Sequence, residues 1–404
     1  MMFREKRQEV ILALLDKNES LSVNYLSRFF FISKETIRKD LSELAEKGVI
    51  QRYHGGARIL RRVLLSEISN ANQLNIEALL KKINSQQAMN KKTERGDNMA
   101  GQVCILGSFN MDIVSKVARF PHGGESIMAI SNTLCPGGKG ANQALAACFA
   151  DANVHFACKV GDDQFGRLAY EHLSSSNIDS LTLYKSAAQP TGSAVIFVSE
   201  QNGENMIAID SGANKTITEN EVVQLEPHLK HARILLLQLE NNIDATIKAI
   251  MLAKALGVKV ILNPAPYTDK IVPYLHYVDI ITPNETEASL LSGIKVCDLN
   301  SAQQAAEMIA NRGVNTVIIT LGSNGALTYE NNKFSHIPAL PAVAVDTTGA
   351  GDAFNGALSA AIAKGKNIHQ AAVYATAFAS LAVEREGASN MPSHQSVLQR
   401  LSQH

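Results

Sequence analysis

The chain has 404 residues, 46% of them hydrophobic and 19% charged, with equal numbers of acidic and basic side chains. This is globular composition; it excludes wholesale disorder, a collagen repeat and a disulfide-rich miniprotein, and the length points to two or three domains. Apolar runs such as Ile234–Leu237 fall far short of the roughly 18 residues a membrane span needs, and the five cysteines are odd in number and scattered. The opening Met-Met-Phe-Arg-Glu-Lys-Arg has no apolar stretch of a secretory signal, so a cytoplasmic protein without a disulfide or zinc framework is expected.

Net neutrality hides an asymmetry. Residues 1–62 carry 13 Lys and Arg against 8 Asp and Glu, a net +5, while the remainder carries 25 against 30, a net −5. A basic head on an acidic body assigns any polyanionic partner to the head. Charge alone fits a solvated surface equally well.

Helical periodicity begins with Val10, Ile11, Leu14 and Leu15. A short second helix starts near Ser22 and turns Leu26 and Phe29 or Phe30 inward. Ser33 suits the N-cap of a third helix, in which Ile37, Leu41 and Leu44 share one face and Gly48 lies just past the end. Val49–Tyr53 and Ala57–Ile59 read as strands around a His54-Gly55-Gly56 turn. Periodicity leaves open a plain three-helix bundle or a winged helix-turn-helix whose third helix enters the major groove. The residues themselves go further. LSRFFFISKETIRKDL (26–41) followed by GVIQRYHGGA (48–57) closely resembles the DeoR family of bacterial sugar-responsive repressors. The resemblance covers nearly all of residues 1–60 and implies a DNA-binding domain there. Its partner would be double-stranded DNA, faced by Lys34, Thr36, Arg38 and Lys39. His54 would either touch a phosphate or shape the turn.

Residues 61–98 form a connector. Leu74, Ile76, Leu79, Leu80 and Ile83 suggest one helix, and Asn84–Asn98 reads as a polar linker. The effector domain that follows such a head in its family is missing, and Met99 before the next strand suggests a gene fusion.

From residue 99 to 404, β-branched runs alternate with helical stretches: Val103–Leu106, Ile234–Leu237, Val258–Leu262, Ile280-Ile281 and Val317–Thr320. That pattern is α/β with a largely parallel sheet, whose ligands bind at the C-terminal strand ends. Polar motifs sit at those ends. In GSFNMD (107–112), Asn110 and Asp112 can both reach vicinal hydroxyls, or cap a turn. GGKGAN (137–142) is not a Walker A motif, but its glycines allow close approach of a ligand that Asn142 can reach. In DTTGAGDAFN (346–355), Gly349 and Gly351 let successive N–H groups point outward at a helix start. Asp352 there can take a proton from an attacking hydroxyl, or cap the helix. An anion hole beside a base is what phosphoryl transfer to an alcohol requires.

In order, GSFNMD, GGKGAN, QLE (238–240), NPAP (263–266), TPNETE (282–287), TLGSNG (320–325), DTTGAGD (346–352) and GASNMP (387–392) resemble the ribokinase (PfkB) family over about residues 102–395. The pattern is most similar to the ribokinases of that family. The resemblance implies an α/β ribokinase-like fold, a three-layer αβα body with a β lid over the sugar. It implies that Asn110, Met111, Asp112, Gly138, Lys139, Gly140, Ala141, Asn142 and Glu240 hold D-ribose, with Asp352 as the base. The N–H groups of Ala350, Gly351 and Asp352 would stabilise the transferring phosphoryl. Asn284, Thr320, Leu321, Gly322, Ser323, Asn324, Gly325, Gly351, Asp352 and Thr376 would line the ATP site. Glu287 would bind Mg²⁺ through water, and Asp346, Thr348, Ala382, Arg385, Gly387 and Asn390 would hold K⁺. GASNMP is one residue shorter than the usual form of its motif, with Asn390 about where a serine is expected.

Phe120–Leu134 and Thr191–Ile209, the second with a hairpin signal at Gln201–Glu204, fit lid strands that also pair subunits, so a homodimer is expected. Three readings of the whole chain remain: a ribokinase fused to a DeoR-type regulator, a regulator whose kinase body only senses sugar, and a kinase for another sugar such as 2-deoxyribose. Intact Asp352, Gly349, Gly351 and Asp346 favour a working kinase. Asn110 and Asp112 favour a sugar with both 2- and 3-hydroxyls.

Overall fold

A computed structural model describes residues 4–59 except 19, 31 and 54, and residues 102–403 except 202 and 203. The chain divides into a small N-terminal unit and a large one that begins at Ala100. Phe31, His54, the helix expected around Leu74–Ile83, the polar linker and Met99 lie outside the described residues.

The head has helices Arg4–Asn18, Val23–Phe30 and Lys34–Glu46 and strands Ser20–Ser22, Ile50–Tyr53 and Gly56–Ile59. The last two form the expected hairpin, and Ser20–Ser22 adds an unforeseen third antiparallel strand against Gly56–Ile59. Val10, Ile11, Leu15, Leu26, Ile37, Leu41 and Ile50 are fully buried in one core, each contributing on the order of 1.5–3 kcal/mol. Ser33 caps the third helix as expected, its hydroxyl accepting the Thr36 N–H at 3.2 Å. Arg7 ties the first helix to the third through two bonds to Asp40, 2.6 and 3.0 Å, in a buried pair.

The large unit is built on a nine-stranded sheet. From one edge its order is Lys333–Ile337, Ala326–Glu330, Thr316–Thr320, Ile280–Ile281, Lys259–Leu262, Ile234–Leu237, Gln102–Leu106, Asn153–Gly161 and Ser180–Ser186. All pairs are parallel except the two that involve Ala326–Glu330. Each expected strand is present within a residue or so. Parallel strands bury both faces: Cys104 and Leu106 join one core with helices Ile243–Ala255 and Leu299–Ala310, and helix Ala350–Ala363 packs on the same strand with helices Lys139–Phe149 and Ile368–Ala382. Among the described residues no helix is long and apolar enough to cross a membrane.

A second sheet of four strands forms the lid, in the order Asn205–Asp210, Gly192–Ser199, Asn110–Val117 and Ala129–Gly137. Here the structure corrects the sequence reading. Phe120–Leu134 is not one strand, because Pro121, Gly123 and Gly124 break the run and pairing starts only at Ala129. Asn110 and Asp112 do not end a strand; they open the central lid strand, paired on both sides.

Candidate active site

Where strand Gln102–Leu106 ends, Gly107–Phe109 leads into the lid, and Gly138 leads back into helix Lys139–Phe149. Gly138 caps that helix with φ 94°, and an added Cβ would lie 2.7 Å from the Asn110 backbone nitrogen, so only glycine fits. Glu240 accepts the Lys139 backbone N–H at 3.0 Å and the Ser108 hydroxyl proton, while Ser108 Oγ accepts the Gly140 N–H at 3.2 Å. Asn110 is buried, and its carboxamide oxygen accepts from Asn214 Nδ2 at 2.8 Å. Burial, reinforced by the Glu240 charge, pushes the Asp112 carboxyl up to about 6. Met111 and Ala141 are buried. Met111 alternates to the strand face opposite Asn110 and Asp112.

Gly349, with φ 77°, is the N-cap of helix Ala350–Ala363, and Asp352 is its third residue. Capping is therefore not what Asp352 does. Its carboxylate is buried and accepts from Asn142 Nδ2 at 3.1 Å and from Gln143 Nε2 at 2.9 Å. Burial pushes the carboxyl up; the Lys139 charge and the two amides pull against this, and burial wins. Lys139 is lowered by burial but raised by Asp352, Glu240 and Glu287, and the charges win. Of the three N–H groups expected at the helix start, that of Ala350 donates back to the Thr347 carbonyl at 3.2 Å. Those of Gly351 and Asp352 have no acceptor among the described residues.

Behind Asp352 runs a chain of buried amides. Gln238 donates to Gln143 at 2.6 Å, Gln143 to Asn263 at 3.1 Å, and Asn263 to the Thr282 carbonyl at 3.1 Å. The Thr282 hydroxyl donates to Asn355, which donates to the Gly351 carbonyl at 2.8 Å. Such networks hold their members rigidly. Sequence patterns assigned no role to Gln143, Gln238, Asn263, Thr282 and Asn355; Gln238, Asn263 and Thr282 follow apolar strands directly, and Gln143 and Asn355 are polar residues in otherwise apolar helix segments, which was the available signal.

On the other side of Asp352, Asn284 and Glu287 form a capping box at helix Glu285–Ser292: Asn284 Oδ1 accepts the Glu287 N–H at 2.8 Å, and Glu287 Oε2 accepts the Asn284 N–H at 3.0 Å. Burial raises the Glu287 carboxyl. Thr320–Gly325 is a tight turn at a strand end, closed by Leu321 N–H to Gly325 O at 2.8 Å and Gly325 N–H to Gly322 O at 3.1 Å, with Ser323 and Asn324 exposed. Thr376 is buried on helix Ile368–Ala382, and its hydroxyl has no partner among the described residues.

The Asp346–Gly349 and Arg385–Met391 loops adjoin. Asp346 accepts from the Thr348 N–H at 2.8 Å and the Gly387 N–H at 3.0 Å. Burial opposes its charge, yet these bonds hold its carboxyl below the usual range. The Ala382 carbonyl accepts the Arg385 N–H at 3.1 Å, the Gly387 carbonyl accepts the Asn390 N–H at 3.1 Å, and the Arg385 guanidinium donates to Met391 O at 2.9 Å. Carboxylate, hydroxyl and carbonyl oxygens thus gather on two loops, a donor set that fits a hard cation. Ser389, overlooked in the sequence, donates to the Asn142 side-chain oxygen at 3.0 Å and ties this loop to helix Lys139–Phe149.

In the head, Lys34, Arg38 and Lys39 are exposed and Thr36 is half-buried, with Lys39 on the face of the third helix opposite the buried Ile37, Leu41 and Leu44. Arg38 makes a loose 3.3 Å contact with Glu35 and is otherwise open to a partner.

A buried carboxylate, N–H groups without an acceptor at a helix start and a capped loop with a second acid are the groups that phosphoryl transfer to an alcohol uses, and they fit an ATP-dependent sugar kinase. Residues 100–395 match the pfkB family of carbohydrate kinases, and the chain belongs to it. Residues 7–63 match the DeoR-like helix-turn-helix domain. The chain is 38% identical to a ribokinase of Haemophilus influenzae over 75% of its length and 99% of that protein, and 34% identical to a deoxyribokinase of Salmonella typhi over 72% and 95%. A solved ribokinase of Arabidopsis thaliana, complexed with ribose and ATP, superposes at a TM-score of 0.67, with 32% identity over 75% of this chain and 99% of that one.

Proposed function

We propose that the body transfers the γ-phosphoryl group of ATP to the 5-hydroxyl of D-ribose, and that the head binds double-stranded DNA, so that one chain combines a ribokinase with a transcriptional regulator. The observation that carries the kinase reading is the buried Asp352 carboxylate at a helix start, beside Asn142 and two free N–H groups.

Asn110, Asp112, Gly138, Lys139, Asn142 and Glu240 hold the sugar. Asp352, raised by burial, takes the hydroxyl proton as the nucleophile attacks in line. The N–H groups of Gly351 and Asp352, aligned with the helix dipole, meet charge developing on the phosphoryl oxygens. Asn284 and Glu287 face the phosphates; Glu287 Oε2 is engaged in the capping box, which leaves Oε1 for a metal-bound water. Mg²⁺ bound with ATP would neutralise phosphate charge, and K⁺ on the Asp346 loop would order the anion hole. The Thr320–Gly325 turn and Thr376 line the nucleotide. The exposed apolar side chains of the lid, Ile130, Leu134, Met206, Ile207 and Ile209, favour a homodimer through this sheet.

A coupled assay with ribose, 2-deoxyribose and fructose tests the substrate. The likeness to a deoxyribokinase makes 2-deoxyribose the competitor to beat; a higher kcat/KM for it would replace ribose in this reading.

A further inference from the structure

We infer that Asn214 is a positioning residue that fixes Asn110 as a hydrogen-bond donor to the sugar and thereby sets part of the preference for a fully hydroxylated pentose. The inference rests on the reading of Asn110 as a sugar-binding residue. Asn214 belongs to Gly212-Ala213-Asn214, which follows the outer lid strand and has no part in the motifs discussed above.

Asn214 is 1% exposed, and two of its three side-chain hydrogen bonds go to backbone groups of fixed polarity. Its oxygen accepts the Phe109 N–H at 3.1 Å, and its nitrogen donates to the Phe109 carbonyl at 2.9 Å. A backbone N–H can only donate and a carbonyl can only accept, so the Asn214 amide has one allowed orientation. Its second amide hydrogen points at Asn110, 2.8 Å away. Asn110 must therefore present its oxygen to Asn214, which leaves its NH₂ as the end available to a ligand.

The support is rigid. The Ala213 N–H donates to Pro190 O at 2.7 Å, and buried Lys159 donates to Thr216 O at 2.8 Å and to Glu221 at 2.9 Å. Gly192 packs against the amide pair: an added Cβ would lie 2.3 Å from both Asn110 Oδ1 and Asn214 Nδ2.

Asp112 lies two residues along the strand, on the same face as Asn110. When ionised it only accepts; Asn110, held by Asn214, only donates. A hydroxyl satisfies both at once, giving its proton to Asp112 and receiving one from Asn110. A sugar that lacks a hydroxyl there leaves a buried amide unpaired, and sites of this kind reject such analogues strongly.

The test is a double-mutant cycle with Asn214→Ala and Asn110→Ala, run with the sugar that the wild-type enzyme turns over best. Failure of ribose as a substrate would overturn the functional reading above and the pentose preference, while the KM arms of the cycle would still test the coupling of Asn214 to Asn110. Asn214→Ala is expected to raise the sugar KM roughly tenfold, to leave the KM for MgATP unchanged and to lower the ratio of kcat/KM for ribose over 2-deoxyribose. In the Asn110→Ala background it is expected to change the sugar KM no further. Gly192→Ala, which pushes a methyl group against the same bond, should reproduce the effect. Thermal melting within a few degrees of wild type separates positioning from unfolding. Full additivity in the cycle, an equal rise in both substrate KM values, or unchanged sugar KM and selectivity would each overturn the inference.

Discussion

Asn142 donates its amide hydrogen to the Asp352 carboxylate at 3.1 Å across 210 positions of chain. The other end of the same amide accepts from Ser389 at 3.0 Å. One buried side chain therefore touches the candidate base and the loop of the candidate cation site.

Replacing Asp352 by Asn keeps the shape and removes the base. Phosphorylation of ribose is expected to fall ~10²–10⁴-fold, while ribose affinity measured by calorimetry stays within a few-fold, because Asn110, Asp112 and Glu240 are untouched. Turnover near wild type would remove Asp352 from the chemistry.

Activity is expected to depend on K⁺, and Asp346→Ala to weaken that dependence. Asp346 joins two loops through the Thr348 and Gly387 N–H groups, and Gly349 of the first loop caps the helix that carries Asp352. Equal wild-type rates in Na⁺-only and K⁺ buffers would argue against a cation there.

Asp112 supplies a pH signature. Burial, then the Glu240 charge, raises its folded value to about 6 from an ordinary value of 3.8. The unfolded chain therefore releases this proton first, and stability falls as pH rises from about 4 to about 6. Asp112→Asn should melt higher than wild type at pH 7 and lose that advantage below about pH 4. Ribose binding is expected to run the other way, since in the proposed site the ionised carboxylate would accept the sugar hydroxyl: the wild-type ribose KM should climb as pH falls below about 6, and Asp112→Asn should flatten the profile. Matching KM profiles for the two proteins would exclude Asp112 from the sugar site.

Arg38→Ala is expected to abolish DNA binding and leave kinase activity unchanged. Arg38 is exposed on the polar face of the third helix and its fork suits guanine or phosphate. If it touches a phosphate, the salt slope should fall by about one unit. Operator binding retained at physiological salt would remove it from the interface.

Local sequence determined a good deal of this. Periodicity and caps carry information within a few residues, so the head helices, five of the nine strands of the large sheet, the Ser33 cap and the Asp352 helix were legible. The motif glycines were legible too, because Gly138 and Gly349 occupy positive φ that few other residues tolerate. Three-dimensional packing decided the rest. It made Gly349 the cap in place of Asp352, gave the Ala350 N–H to Thr347, and confined the strand within Phe120–Leu134 to the part from Ala129 on. It also supplied Gln143, Ser108, Ser389 and Asn214, whose side-chain partners lie from 32 to 253 residues away in the chain. A hydrogen bond depends on where two groups end up within about 3 Å of each other, and no pattern within one segment encodes the position of the other.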